Sequence, residues 1–143
     1  PLWLARHNKL IFGIVFCAGL AFAAFNVFSL PAAHAADATA QQFPDVLSAK
    51  VRARGADTFD FDVTVSSPYD TAQRYADGFR VSGPDGMVFG ERKLWHDHAS
   101  EQPFTRDLYG VKIPRAVRKV VVQARDQRHG YGGKAVEVAL PQR

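Results

Sequence analysis

Thr58-Phe59-Asp60-Phe61-Asp62-Val63-Thr64-Val65 alternates without a break, with Phe59, Phe61, Val63 and Val65 on one side and Thr58, Asp60, Asp62 and Thr64 on the other. Period two, carried by aromatic and β-branched residues, describes a strand with one face in a core and one in solvent. The two aspartates accordingly face water. The same alternation is found on either side. Val51 and Ala53 stand against Lys50, Arg52 and Arg54 within Ala49 to Arg54, and Phe79 and Val81 point inward in a short run ending at Ser82. Gly83-Pro84-Asp85-Gly86 is a turn sequence. It joins that run to Met87–Trp95 as a hairpin. Phe104 to Tyr109, Lys119 to Arg125 and Lys134 to Leu140 complete the series, and the consecutive Val120, Val121 and Val122 mark a central strand.

Seven short strands with turn signals between them, and no convincing amphipathic helix, predict an all-β domain over residues 46–143. The expected architecture is a two-sheet sandwich of immunoglobulin or fibronectin type III kind, with a small barrel as the alternative. Pro68 to Tyr75 and Ser100 to Pro103 have room for a helical turn.

The beginning of the chain has a different character. Arg6, His7 and Lys9 precede an apolar run from Leu10 to Leu30, and Ala33-His34-Ala35 follows. Charged, apolar and small-residue regions in that order form an export signal. The run is also about as long as the ~20 residues that span a bilayer, so residues 1–35 read as a signal peptide or as a membrane-anchoring helix. The positive flank orients both alternatives the same way. Cys17 lies mid-run after bulky Phe16, which does not suit lipid attachment. Residues 36–45 open with Ala-Asp-Ala-Thr-Ala-Gln-Gln and read as a flexible lead-in. The expected location is outside the cytoplasm, periplasmic or extracellular, or anchored in the inner membrane. Membrane contact is expected only through an uncleaved N-terminal segment.

The chain carries 18 Lys plus Arg against 14 Asp plus Glu. Arg6 and Lys9 belong to the leader, so 16 basic residues balance 14 acidic ones beyond it. So small an excess gives no nucleic-acid footprint, which needs clustered cations. The single cysteine, Cys17, leaves nothing to form a disulfide, and the domain must be held by packing.

Strands that alternate up and down gather every second connection at one end. Gly55 to Asp57, Gly83 to Gly86 and Gly110 to Arg115 then share one end as plain reversals. The longer Ser67 to Asp77, His96 to Pro103 and Gln127 to Gly133 share the other, the usual place for a binding surface. These loops hold His96, His98 and His129, with Glu101, Tyr69, Asp70, Tyr75, Asp77, Asp126 and Tyr131. His96 and His98 project to one side of an extended chain. With His129 and Glu101 they are the candidate ligands for zinc or copper. Tyr69, Asp70, Tyr75, Asp77, Asp126 and Tyr131 are the candidate ligand or partner surface. The alternative role for these residues is structural, as loop groups bonded to backbone and to one another. Gly130-Tyr131-Gly132-Gly133 lacks the Lys-Ser/Thr of a phosphate loop and reads as a tight hairpin with an aromatic cap. Arg106, between Phe104 and Leu108, is expected to reach an acidic partner such as Asp77 or one neighbouring Asp107. No serine stands in a nucleophile motif, and no catalytic residue is assigned; the reading is a binding domain and not an enzyme.

Pro68-Tyr69-Asp70-Thr71, Tyr75-Ala76-Asp77-Gly78-Phe79, His96-Asp97-His98-Ala99-Ser100-Glu101-Gln102-Pro103-Phe104-Thr105-Arg106 and His129-Gly130-Tyr131-Gly132-Gly133 together resemble an uncharacterised group of small exported β-sandwich proteins of Gram-negative bacteria. The resemblance implies a periplasmic or secreted sandwich and brings no activity, cofactor or partner. Two functions are expected from these readings: a binding module that takes a transition metal through its loop histidines, or an interaction domain docking on another envelope protein without a metal.

Overall fold

The structure, a computed structural model, describes residues 41–143. The expected leader over residues 1–35 and the start of the lead-in lie outside them. Eight strands run through the described residues: β1 (Asp45–Gly55), β2 (Thr58–Ser66), β3 (Ala76–Ser82), β4 (Val88–Lys93), β5 (Phe104–Lys112), β6 (Lys119–Asp126), β7 (Gly130–Tyr131) and β8 (Val136–Ala139). No helix occurs among these residues. The strands form two sheets, one in the order β1-β2-β5 and one in the order β4-β3-β6-β7, with β8 also on β6. Every pairing is antiparallel.

The parity of β2 sets the core. Phe59, Phe61, Val63 and Val65 are fully buried and meet Phe79 and Val81 of β3, Phe104 and Val111 of β5, and Val120, Val122 and Ala124 of β6. Burying each of these larger side chains contributes roughly 1.5–3 kcal/mol. The expected hairpin at Gly83–Gly86 is present, with Gly86 N–H donating to Gly83 O at 2.9 Å. β6 has the central place expected for it, between β3 and the pair β7 and β8.

Three local expectations are corrected. Asp60 is buried, because Arg54 lies 3.1 Å from its carboxylate on one side and the Gly110 N–H donates to it at 2.9 Å on the other. β1 begins at Asp45 rather than Ala49, since its first residues are fixed by β8's neighbourhood: Val46 N–H donates to Lys134 O and Lys134 N–H to Asp45 Oδ1, both at 2.8 Å. The expected last strand, Lys134 to Leu140, is shortened to β8, and a separate two-residue strand, β7, precedes it across Gly132 and Gly133. A Cβ on Gly132 would stand 2.4 Å from the Phe43 ring, and one on Gly133, at φ +73°, 2.2 Å from Pro44 O. The chain leading into β1 presses on the sheet edge there, and only backbone without a side chain fits.

The core places Phe61 at the centre of the fold. Phe61→Ala is expected to destabilise the domain by about 3–5 kcal/mol in urea unfolding, a large part of the ~5–15 kcal/mol typical of such a domain. A loss below about 1 kcal/mol would contradict the central position given to this ring.

Candidate functional site

The three longer loops meet at one end of the sandwich. The amide of Gln127, after β6, donates to Tyr75 O in the β2–β3 loop at 3.0 Å, and the amide of His98, in the β4–β5 loop, donates to Asp70 Oδ2 at 3.0 Å. The opposite end holds the β1–β2 turn and the β5–β6 connection, joined where Ile113 N–H donates to Asp57 O at 2.9 Å.

Buried carboxylates organise the long-loop end. Asp126 is fully buried at the last position of β6. It accepts the backbone N–H groups of Arg128 and His129, each at 2.8 Å, and Arg74 Nε at 3.1 Å. Burial drives its pKa up, but the nearby Tyr69 hydroxyl, those amide donors and the Arg74 charge together outweigh burial and leave it below the usual carboxylate range. The Tyr69 hydroxyl faces the same carboxylate outside hydrogen-bond geometry, and burial raises its pKa. Arg74 lies 4.1 Å over the Tyr69 ring and donates its Nη2 to the carbonyls of Gln41 and Gln42, at 2.9 and 2.8 Å. One guanidinium thus binds the lead-in to the loop end.

Asp70 is the second organiser. It accepts the amides of Ala76 and His98, each at 3.0 Å. Gln102 joins the same two loops, accepting the Ser67 amide at 2.8 Å and donating to Ser67 Oγ and His98 O at 3.2 Å. His98 is buried, stacks on Phe104 at 4.0 Å between ring centroids, and leaves Nδ1 without a hydrogen-bond partner among the described residues, 4.0 Å from Asp70 Oδ2. Burial, then the charges of Arg106 and His96, lower the His98 pKa, while burial raises that of Asp70. Both shifts run toward the uncharged forms, and at 4.0 Å the contact is too long for a hydrogen bond.

The expected metal ligands are distributed as follows. The His96 and His98 rings lie 4.9 Å apart. Glu101 is engaged by Arg106 through both carboxylate oxygens, at 3.2 and 2.9 Å, so Arg106 finds Glu101 and not Asp77. His129 packs edge-on against Phe43 at 6.0 Å. Among the described residues no three His, Cys, Asp or Glu side chains are grouped to hold a metal ion. Of the expected partner surface, Tyr69, Asp70 and Asp126 are buried and brace the loops from within, because each finds donors or apolar neighbours from segments distant in sequence. Tyr75, Asp77 and Tyr131 remain partly accessible.

The outward side of the β4-β3-β6-β7 sheet holds a groove of about 230 Å³ that the loop pattern did not foretell, lined by Asp77, Glu91, Arg92, Lys93, Arg125 and Tyr131 over Gly78. Beside it stands Trp95, 75% exposed, with Lys93 Nζ 4.6 Å over its ring.

The buried imidazole makes stability depend on pH. A base whose folded pKa lies below its ordinary 6.5 binds fewer protons folded than unfolded. Its cost to stability is therefore absent well above 6.5 and grows as the pH falls through 6.5. The melting temperature is expected to fall between pH 7.5 and 5.5, and His98→Phe, which keeps a ring on Phe104, is expected to flatten that fall. An equal fall in the variant would remove His98 as its source. The raised Asp70 acts with the opposite sign and nearer the carboxylate range, which is why the test stays above pH 5.5.

No protein-family model matches the chain. No solved structure matches it. It is similar to a protein of the archaeon Halomicrobium mukohataei described as "Putative lipoprotein", with 36% identity over 94 residues that cover 66% of this chain and 46% of that protein. The chain spans about half the length of this curated relative.

Proposed function

We propose that the chain is an exported, membrane-associated β-sandwich module that docks on another envelope protein through its long-loop end. The order of charged, apolar and small residues at its start supports export, and so does its similarity to a protein described as a lipoprotein. The strand orders β1-β2-β5 and β4-β3-β6 with β8 support a fibronectin type III-like sandwich, in which the last strand is divided into β7 and β8.

The observation that carries the reading is Trp95. A large aromatic side chain left 75% exposed stands beside loops held rigid by Asp70, Gln102 and Asp126. Tyr75 Oη donates to Trp95 O at 3.3 Å, which joins the two neighbouring loops at this point. Rigid loops bearing an exposed tryptophan are what an interface hot spot requires, since little ordering cost is left for binding. A metal site on His96 and His98 is the second reading. The 4.9 Å separation of their rings favours it, while the engagement of Glu101 with Arg106 and the place of His129 beside Phe43 count against it.

A photo-crosslinking amino acid in place of His96, in the full chain in envelopes of the producing cell, is expected to give a discrete higher-mass protein adduct. The same probe in place of exposed Met87, beside the opposite turn, is expected to give none. Trp95→Ala is expected to weaken the docking at least about tenfold. Equal labelling from both positions, or none from His96, would contradict the proposal.

A further inference from the structure

We infer that the groove on the outer side of the β4-β3-β6-β7 sheet is a saccharide site that takes a pyranose ring against Tyr131. The inference stands apart from the protein docking at the loop end and does not require it.

The aromatic platform is fixed in place. Tyr131 belongs to β7, and its side chain crosses the sheet so that Oη donates to Glu91 Oε1 on β4 at 3.1 Å. The Arg80 guanidinium lies 3.8 Å from the ring centroid and is itself held by Gln123 Oε1 at 3.3 Å. Burial, followed by the bond to Glu91, pushes the Tyr131 hydroxyl up to about 12, so the ring stays neutral and its donor stays committed to Glu91. A planar ring clamped at its edge and backed by a cation loses little freedom when something stacks on it.

The lining excludes other ligand classes. A volume of about 230 Å³ is less than the ~300–1,000 Å³ of sites for drug-sized apolar ligands, and charged side chains form most of its walls. Those charges are of both signs and already answer one another: Arg125 pairs with Asp77, and Arg92 with Asp107. Such a wall offers no field to a polyanion. What it does offer is alternating donors and acceptors. Among the described residues Arg125 donates only through Nη1, to Asp77, Glu91 accepts through one oxygen, and Lys93 Nζ lies over the Trp95 ring without a hydrogen bond. Asp77 Oδ1, beneath its ion pair with Arg125, is buried with no hydrogen-bond partner among the described residues. A ring that presents C–H groups on its face and hydroxyls around its edge satisfies both the aromatic platform and this rim. An apolar ring or a phosphate chain satisfies only one of them.

The test is titration of the purified full chain in detergent micelles, by calorimetry, with hexasaccharides of glucose, mannose, galactose and N-acetylglucosamine. Saturable binding of at least one hexasaccharide is expected, with a Kd below about 5 mM. Tyr131→Ala is expected to weaken it at least about tenfold. Glu91→Ala, at an exposed position where folding is not at stake, is expected to weaken it about threefold by releasing the ring. Tyr109→Ala, an exposed tyrosine elsewhere on the surface, is expected to leave it unchanged. No binding across the four sugars, or binding that survives both Tyr131→Ala and Glu91→Ala, would overturn the inference. Loss with Trp95→Ala but not with Tyr131→Ala would also overturn it, by placing the ligand at the loop end.

Discussion

The pair Arg74–Asp126 holds the long-loop end of this domain together. A carboxylate without any exposed surface is costly unless its charge is met, and Asp126 meets it with two backbone amides and one guanidinium. The consequences run in three directions. The amides of Arg128 and His129 fix the tight turn that sends the chain back as β7. The guanidinium fixes the β2–β3 loop, and through the carbonyls of Gln41 and Gln42 it also fixes the segment leading into β1. Phe43 then lies where Gly132 and Gly133 leave room, and the split between β7 and β8 follows from that contact. Removing one charge would therefore loosen a loop, a turn and the start of the first strand together.

Much of the framework is legible in the order of residues. The parity of Thr58 to Val65 places four core residues without error, because period two in a run of aromatic and β-branched residues has few other meanings. Gly83 to Gly86 marks its hairpin for a similar local reason. What is not legible depends on contacts between distant positions. Asp60 alternates with phenylalanines as a solvent-facing residue would, yet Arg54 and the Gly110 amide cover it. Asp45 to Ser48 does not alternate, and β1 extends over these residues because Lys134 meets Asp45 and Val46.

The loop residues show the same division. Topology gathers the three long loops at one end, as strand alternation implies, and the polar side chains then separate into inner and outer groups. Asp70, Asp126 and Tyr69 turn inward as braces, whereas Tyr131 and Asp77 belong to a groove on the sheet. Tyr, Asp and His in a loop look alike in a sequence whether they hold the loop or wait for a ligand. Only the position of their partners separates the two roles. For His129 the partner is Phe43, and for Glu101 it is Arg106.

Native-state hydrogen exchange on Asp126→Asn tests the central claim most directly. The substitution keeps the shape and removes the charge. The account predicts a loss of about 1.5–3 kcal/mol in global stability. It also predicts that the amides of Arg128, His129 and Val46 lose protection, while those of β2 and β5 keep protection matching the new global value. A stability change under about 0.5 kcal/mol, with the Arg128 and His129 amides as protected as before, would contradict it.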